Sequence, residues 1–456
     1  MSLLVKPPRT IPNSVLGEIF TILAAARDKH ARQAQAVPML RDAVECIKAL
    51  STLVCVSQRY KQLAMPLLYQ TIVFSRDAQH RLFFPTLRQN RPLGRLVKNV
   101  TFFELRDYSI RENQAFPSLI DERRWDNAPT DPLADDVQRL WGALSLPERR
   151  ELNDNVPEIR DAVLELFTII KHLPNLMFLR YVGRASPTMF SAVLYRILCM
   201  IPRWLALPMV KSLVEMEISG RTCVTWFEKI FGVFRPPMLR SLSITYTGKP
   251  PPDKALIKLQ DSFSTISTIR ELRLSLPHFT SDCVMPVLFE IDDLEVLHLD
   301  LFNITEKTRH ENIWFAIRSR CDKLRDLRIR FKDRYWTKVQ APHADLIPWP
   351  ITVFHALAAL DLPDALLFGM QLGNERDSWV TALPPSIQVL TVSAWFMKGD
   401  IPQRLKELFQ DAWRVPKLRT VVVRERLGLL PLIKAELRRV VERYTHRNIA
   451  YSHEWF

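Results

Sequence analysis

The sequence predicts an α/β solenoid: an all-helical N-terminal segment, then irregular repeats of one strand and one helix, curved into an arc. Three observations predict it. Two apolar stripes of helical spacing open the chain, and a short apolar pattern then returns every 25–33 residues. Glycine is also scarce and proline abundant, 11 and 32 of 456 residues. Few glycines disfavour nucleotide folds built on glycine loops, and many prolines favour short, punctuated elements. With 47% hydrophobic and 25% charged residues the composition is globular. The chain is too long for one ordinary core.

The helical segment comes first. Pro12 suits a first helical position, and Val15, Leu16, Ile19, Phe20 and Leu23 form an apolar stripe behind it. Further on, Leu53, Val56, Tyr60 and Leu63 recur at three- and four-residue steps and line one face of a second helix. Pro66 is expected to end that helix, because it lacks an amide proton and disfavours helical geometry at Met65. Residues 24–49, with Arg27, Lys29, His30 and Arg32, read as an inserted, solvated loop. Cys55 reads as a core residue. Two such short segments would bury too little surface to stand alone.

The residue order here carries more than the periodicity. Ile11-Pro12, Val15-Leu16 and Ile19-Phe20, followed by Leu53, Val56, Tyr60, Leu63-Ala64, Pro66 and Tyr69, resemble the F-box in its fungal form over residues 10–74. Ile11 stands where that family usually has Leu, and Tyr60 where it usually has Trp. The resemblance implies docking on a Skp-type adaptor. Carried onto this chain, the adaptor-binding candidates are Ile11, Pro12, Leu16, Ile19, Phe20, Leu53, Val56, Tyr60, Leu63 and Pro66. Residues 1–74 are assigned to this domain, and 75–95 to a polar, basic connector.

Repeats are expected over residues 96–430. The pattern apolar-x-x-apolar-x-apolar starts at Leu213, Leu239, Ile269, Leu294, Leu324, Leu357, Ile387 and Leu418, at steps of 26, 30, 25, 30, 33, 30 and 31. Earlier copies start at Val97 and Leu176. Helix-like runs between copies, as at 224–231, 253–263, 305–317 and 400–409, complete a strand-plus-helix unit. The pattern resembles the irregular leucine-rich repeats that commonly follow an F-box, although the asparagine usual after the third apolar position is mostly missing. Residues 107–157, rich in acids, Pro and Asn, break the period and read as an insertion. A helix from Leu432 and the tail to Phe456 are expected to cap the open end over 431–456.

Alternation along each strand sends the residues between the apolar ones to the opposite, concave face. The middle outward position gives Arg180, Glu217, Ser243, Arg273, His298, Arg328, Asp361 and Thr391. The next gives Ser219, Thr245, Ser275, Asp300, Arg330, Ser393 and Arg424. Arg180, Glu217, Arg273, His298, Arg328 and Arg330 are the candidate substrate contacts. The patch around Arg273, Arg328 and Arg330 suits an acidic or phosphorylated protein segment.

Other classes are disfavoured. The formal charge of +14 is spread along the chain and interleaved with acids, which describes a basic surface rather than a nucleic-acid groove. There is also no aromatic-basic stacking cluster. Six cysteines form no C-x-x-C pair and have no metal-ligand spacing with histidine, so no metal and no cofactor are expected. Free thiols and the absence of a signal peptide or membrane span suggest an intracellular chain, cytoplasmic or nuclear. No Walker, Rossmann, zinc-protease or nucleophile-elbow motif occurs, and no catalysis is expected. The resemblance then implies a substrate receptor of an SCF-type ubiquitin ligase, joined through the adaptor to a cullin–RING core. Two alternatives remain open. One is a repeat scaffold whose F-box-like segment merely caps the solenoid; the other is nucleic-acid binding by the basic face.

Overall fold

The computed structural model describes residues 12–33, 41–74, 90–103, 169–183, 211–220, 236–246, 268–276, 291–301, 314–318, 321–331, 351–364, 379–394, 401–425, 431–444 and 449–455, with a few single positions between them. The chain divides into two compact units, 1–229 and 230–456. The insertion at 107–157 and the expected helices at 224–231 and 253–263 lie outside the described residues.

The first unit opens with three helices, α1 (Asn13–Gln33), α2 (Arg41–Val56) and α3 (Gln58–Gln70). The loop expected at 24–49 is therefore helical over most of its length. Ala24, Ala25, Ala26 and Ala31 are strong helix formers and carry α1 on to Gln33. The buried residues Leu16, Phe20, Ala24, Arg27 and Ala31 follow one another at three- and four-residue steps. They mark one stripe along a helix about 31 Å long. Leu16, Phe20 and Ala24 pack with Leu50 and Ala64, ringed by Leu53, Tyr60, Leu63, Leu67 and Leu68. Phe20 meets the Tyr60 ring edge-on at 5.7 Å.

Two further expectations fail in this bundle. The run from Leu53 to Leu63 is not one helix, because Ser57 is extended and its hydroxyl accepts the Tyr60 amide, which caps α3. Pro66 does not end α3 either. Leu67 and Leu68 beyond it still pack on the core, and that burial outweighs one missing amide donor. The helix end is finished by Arg27, fully buried, whose Nη1 donates to the carbonyls of Leu67 (2.7 Å) and Leu68 (3.2 Å). Its Nε donates to Asp28 at 2.8 Å. A cation thus satisfies carbonyls that a helix C-terminus leaves without partners.

Strand β1 (Thr71–Phe74) follows α3 directly and pairs in parallel with β2 (Asn99–Phe103), which is followed by β3 (Phe178–Val182) and β4 (Glu215–Ser219). The second unit carries β5 (Ser241–Thr245), β6 (Glu271–Leu276), β7 (Val296–Leu301), β8 (Asp326–Phe331), β9 (Ala359–Pro363) and β10 (Val389–Ala394). It continues through α4 (Ile401–Gln410), β11 (Thr420–Glu425), α5 (Pro431–Arg443) and β12 (Ala450–Trp455). Its strands are again parallel and ordered as in the chain. This is an α/β repeat architecture.

All ten expected repeat starts, from Val97 to Leu418, are buried, and each precedes one strand from β2 to β11. The repeats are stitched by backbone. Within the second unit, the carbonyls of Arg240, Arg270, Glu295, Arg325, Ala358 and Gln388 each accept two successive amides of the next turn. Hydroxyls add rungs: Thr268 donates to the Leu239 carbonyl and Ser386 to that of Leu357. In the first unit Ser212 does the same to Leu176. Each hydroxyl stands just before a repeat start, in a stack that has few of the usual asparagines. Strands β1 and β12 have no repeat signature; the tail expected only to cap the end contributes a strand paired with β11. Helix α5 packs on α4, with Tyr444 stacked on Phe409 at 5.7 Å.

Candidate functional site

Strand register places the outward residues in the expected rows. Ser243, Arg273, His298, Arg328, Asp361 and Thr391 are successive partners across β5 to β10. Thr101, Arg180 and Glu217 form the matching row of the first unit. The two units use these rows differently.

In the first unit the row lies beneath the protein's own helices. Ala31 of α1 and Ala43 of α2 bury against Phe103, with Val44, Val73 and Val182 around them. Arg180, only 4% exposed, donates Nη1 to the carbonyls of Ala31 (2.9 Å) and Arg32 (2.8 Å) in the last turn of α1. Its Nε lies 3.1 Å from Glu217. Arg32 completes the clasp by lying 4.5 Å over the Phe178 ring and pairing with Glu215 at 3.2 Å. Arg180 is thus an interior helix anchor, and Glu217 is its counter-ion. The expectation that Arg180 lines an open recognition face is corrected: α1, which extends where a loop was expected, covers it, whereas the Glu217 side chain stays 31% exposed.

In the second unit the row is charged and partly open. Arg273 pairs with Glu271 at 3.0 Å and His298 with Asp326 at 2.9 Å. Asp361, 4% exposed, is a hub. Its Oδ2 accepts from Arg330 Nε (3.0 Å) and Nη2 (2.9 Å) and from Arg424 Nη1 (2.5 Å), with Arg328 Nε at 3.4 Å. Oδ1 accepts the Ser393 hydroxyl at 3.3 Å. Burial, followed by the charge of Arg330, pushes the Arg328 guanidinium below its ordinary range, against the opposing pull of Asp361 and Asp326. Arg424 and Asp361 were legible as outward residues but not as members of one cluster. Their side chains converge across strands 63 residues apart in sequence.

A second candidate surface lies on the helices. Of the ten adaptor-binding candidates, Ile11 lies outside the described residues. Leu16 and Phe20 are buried in the bundle core, and Leu53, Tyr60 and Leu63 are partly buried against it. Pro12, Ile19, Val56 and Pro66 are exposed. Two neighbours absent from that set join them. Val15, Ile19 and Ile22 form an exposed stripe on α1 at i, i+4 and i+7, flanking the buried one, with Val15 and Ile19 about 100° round the helix from Leu16 and Phe20. Val56, 60% exposed, ends α2, and a hydrogen bond from Arg59 to Asn13 holds that corner beside the start of α1. Cys55 is exposed there too, not in the core. A helix with an apolar side facing water as well as one facing its core has a surface to cover.

Among the described residues, no three His, Cys, Asp or Glu groups gather where they could hold a metal ion. No helix among those residues is long and apolar enough to cross a membrane. No family model matches the chain, and no curated protein matches it. Among solved structures, a chain of the yeast Rad7–Elc1 complex is similar over 72% of this chain and 89% of that one, at 12% identity and a TM-score of 0.28. So weak a superposition says nothing about what this chain binds.

Proposed function

We propose that this chain is a non-catalytic substrate receptor of an SCF-type ubiquitin ligase. Its helical bundle docks on a Skp-type adaptor, and through it on a cullin–RING core. Its repeats hold a protein substrate. The reading starts from the F-box resemblance over residues 10–74, and one observation carries it. The bundle core is filled by Leu16, Phe20, Leu50 and Ala64, yet Val15, Ile19, Ile22 and Val56 remain exposed beside it. Burying such a row on a partner is favourable at about 25 cal/mol per Å² of apolar surface.

The test is co-expression of the full chain with a Skp-type adaptor, followed by size-exclusion chromatography with mass measurement. A stoichiometric complex is expected. Ile19→Asp combined with Val56→Asp should weaken it by about thirtyfold or more, with the circular-dichroism spectrum unchanged. A monomer that ignores the adaptor, or a doubly substituted chain that still co-elutes, overturns the reading. Deleting residues 1–74 is the wrong control, because it removes β1 from the sheet and uncovers Arg180.

A second reading is favoured by that same clasp. Helices locked onto strands by Arg180 and Arg32 could serve as the end cap of a repeat scaffold, with no ligase role. In that case no adaptor complex forms, and the double substitution changes neither mass nor stability.

A further inference from the structure

We propose that the turn leading into β11 is a docking site for an acidic protein segment, with Trp413 as its anchor and Arg414, Lys417 and Arg419 as its cations. The ground is a departure of this turn from its two sister turns. Before β9, β10 and β11 the backbone closes the same hydrogen bond. The amide of Phe354 donates to the Ile351 carbonyl, that of Leu383 to Val380 and that of Val415 to Ala412. The two residues spanned by each bond are Thr352 and Val353, Thr381 and Ala382, and Trp413 and Arg414. On either side of the buried repeat start stand Ala356 and Ala358, Ser386 and Gln388, and Lys417 and Arg419. Small or uncharged side chains thus serve this backbone twice. The third turn carries a tryptophan and three cations that the fold does not require.

These side chains face water. Val415 and Leu418, 1% and 6% exposed, hold the turn to the interior, whereas Trp413 is 65% exposed and Arg414, Lys417 and Arg419 are exposed with it. Lys417 takes the place of the hydroxyl by which Ser212, Thr268 and Ser386 are tied to the preceding repeat. Residues 411–419 hold three cations and one acid, Asp411. Arg414, Lys417 and Arg419 form no ion pair with a described residue. Arg414 lies over the Trp413 ring at 4.5 Å, which steadies both and leaves in-plane guanidinium donors for a carboxylate. Exposed Trp and Arg are the side chains on which protein interfaces most depend. The charge pattern selects the partner. A nucleic-acid strand needs rings and cations along several turns, but the turns before β9 and β10 carry no Lys or Arg. Beyond them, before β7 and β8, the acids Asp292, Asp293, Glu295 and Asp322 outnumber Lys323 and Arg325 and would oppose a continuous polyanion. One ring and three cations on a single turn match a short acidic segment that brings an apolar residue to Trp413. This site does not depend on the receptor reading above.

A displayed library of random peptides is selected on the full chain, and the enriched peptides are measured by fluorescence anisotropy. Peptides that join Asp or Glu to an apolar residue should be enriched, with affinity that falls as salt rises. The variants borrow from the sister turns, so the backbone accepts them: Trp413→Thr, after Thr352 and Thr381, and Lys417→Ser with Arg419→Gln, after Ser386 and Gln388. Trp413→Thr should weaken binding about thirtyfold, and the basic pair about tenfold, with the thermal midpoint kept in both. A selection that enriches nothing, or peptides without acids, overturns the site. So do acidic peptides that bind the Trp413→Thr chain like the parent. A single-stranded oligonucleotide or phosphatidylserine vesicles that bind more tightly than the peptides, and lose binding in the same variants, overturn the protein segment as occupant. Adaptor capture depends on the α1 stripe and is measured separately, so either idea can fail alone.

Discussion

Arg180→Met isolates the bond between the helical bundle and the repeat strands. Methionine keeps most of the stem volume and removes the guanidinium. The carbonyl of Ala31, a residue 1% exposed, then loses a donor with no water to replace it. Leaving such a group unsatisfied costs about 1–3 kcal/mol. The Arg32 carbonyl also loses its donor, but its residue is exposed and can hydrate, adding about 0.5–1 kcal/mol. Glu217, with its side chain 31% exposed, rehydrates in part, and relief from burying a cation offsets some of the loss. The net expectation is a destabilisation of about 1–4 kcal/mol. Denaturant titration measures it. Hydrogen exchange should quicken first in the last turn of α1, which the guanidinium holds. A loss below about 0.5 kcal/mol, the range of an ordinary surface change, would refute the idea that Arg180 anchors α1.

The two sides of α1 should respond differently. Leu16→Ala, 3% exposed, should cost about 2–5 kcal/mol by leaving a cavity, whereas Ile22→Ala, 62% exposed, should stay within about 0.5 kcal/mol; urea melts of both variants check the contrast. Gly220 sits at φ 113°, and a Cβ there would lie 2.5 Å from the Gly183 Cα. Gly220→Ala should therefore cost about 1–3 kcal/mol, read from the same melts, and a neutral result would mean that the turn after β4 is not held in this conformation.

The repeats are legible from residue order alone. Val97 through Leu418 mark ten strands, because a strand that buries one face must alternate, and alternation can be read locally without knowing any partner. The same alternation placed Arg273, His298, Arg328 and Asp361 in one row. Three- and four-residue steps likewise marked the apolar stripe of α1, and marked Leu53 to Leu63 as helical but not as two helices. What each outward residue does was decided by tertiary structure. Arg27 and Arg180 look like solvated cations in the sequence, yet each is buried on the carbonyls that end a helix. Both partners lie at least 40 residues away. Helix boundaries misled for a related reason: packing of Leu67 and Leu68 outweighs the local preference of Pro66, and Ser57 divides an apolar period that runs straight past it. Strands β1 and β12 form by pairing with β2 and β11, not from a pattern of their own. Asp361 shows the rule most clearly. Its alternation fixes the face it occupies, but the three arginines that meet there come from strands that only the stacked sheet brings together, since charge acts through space and sequence spacing does not record it.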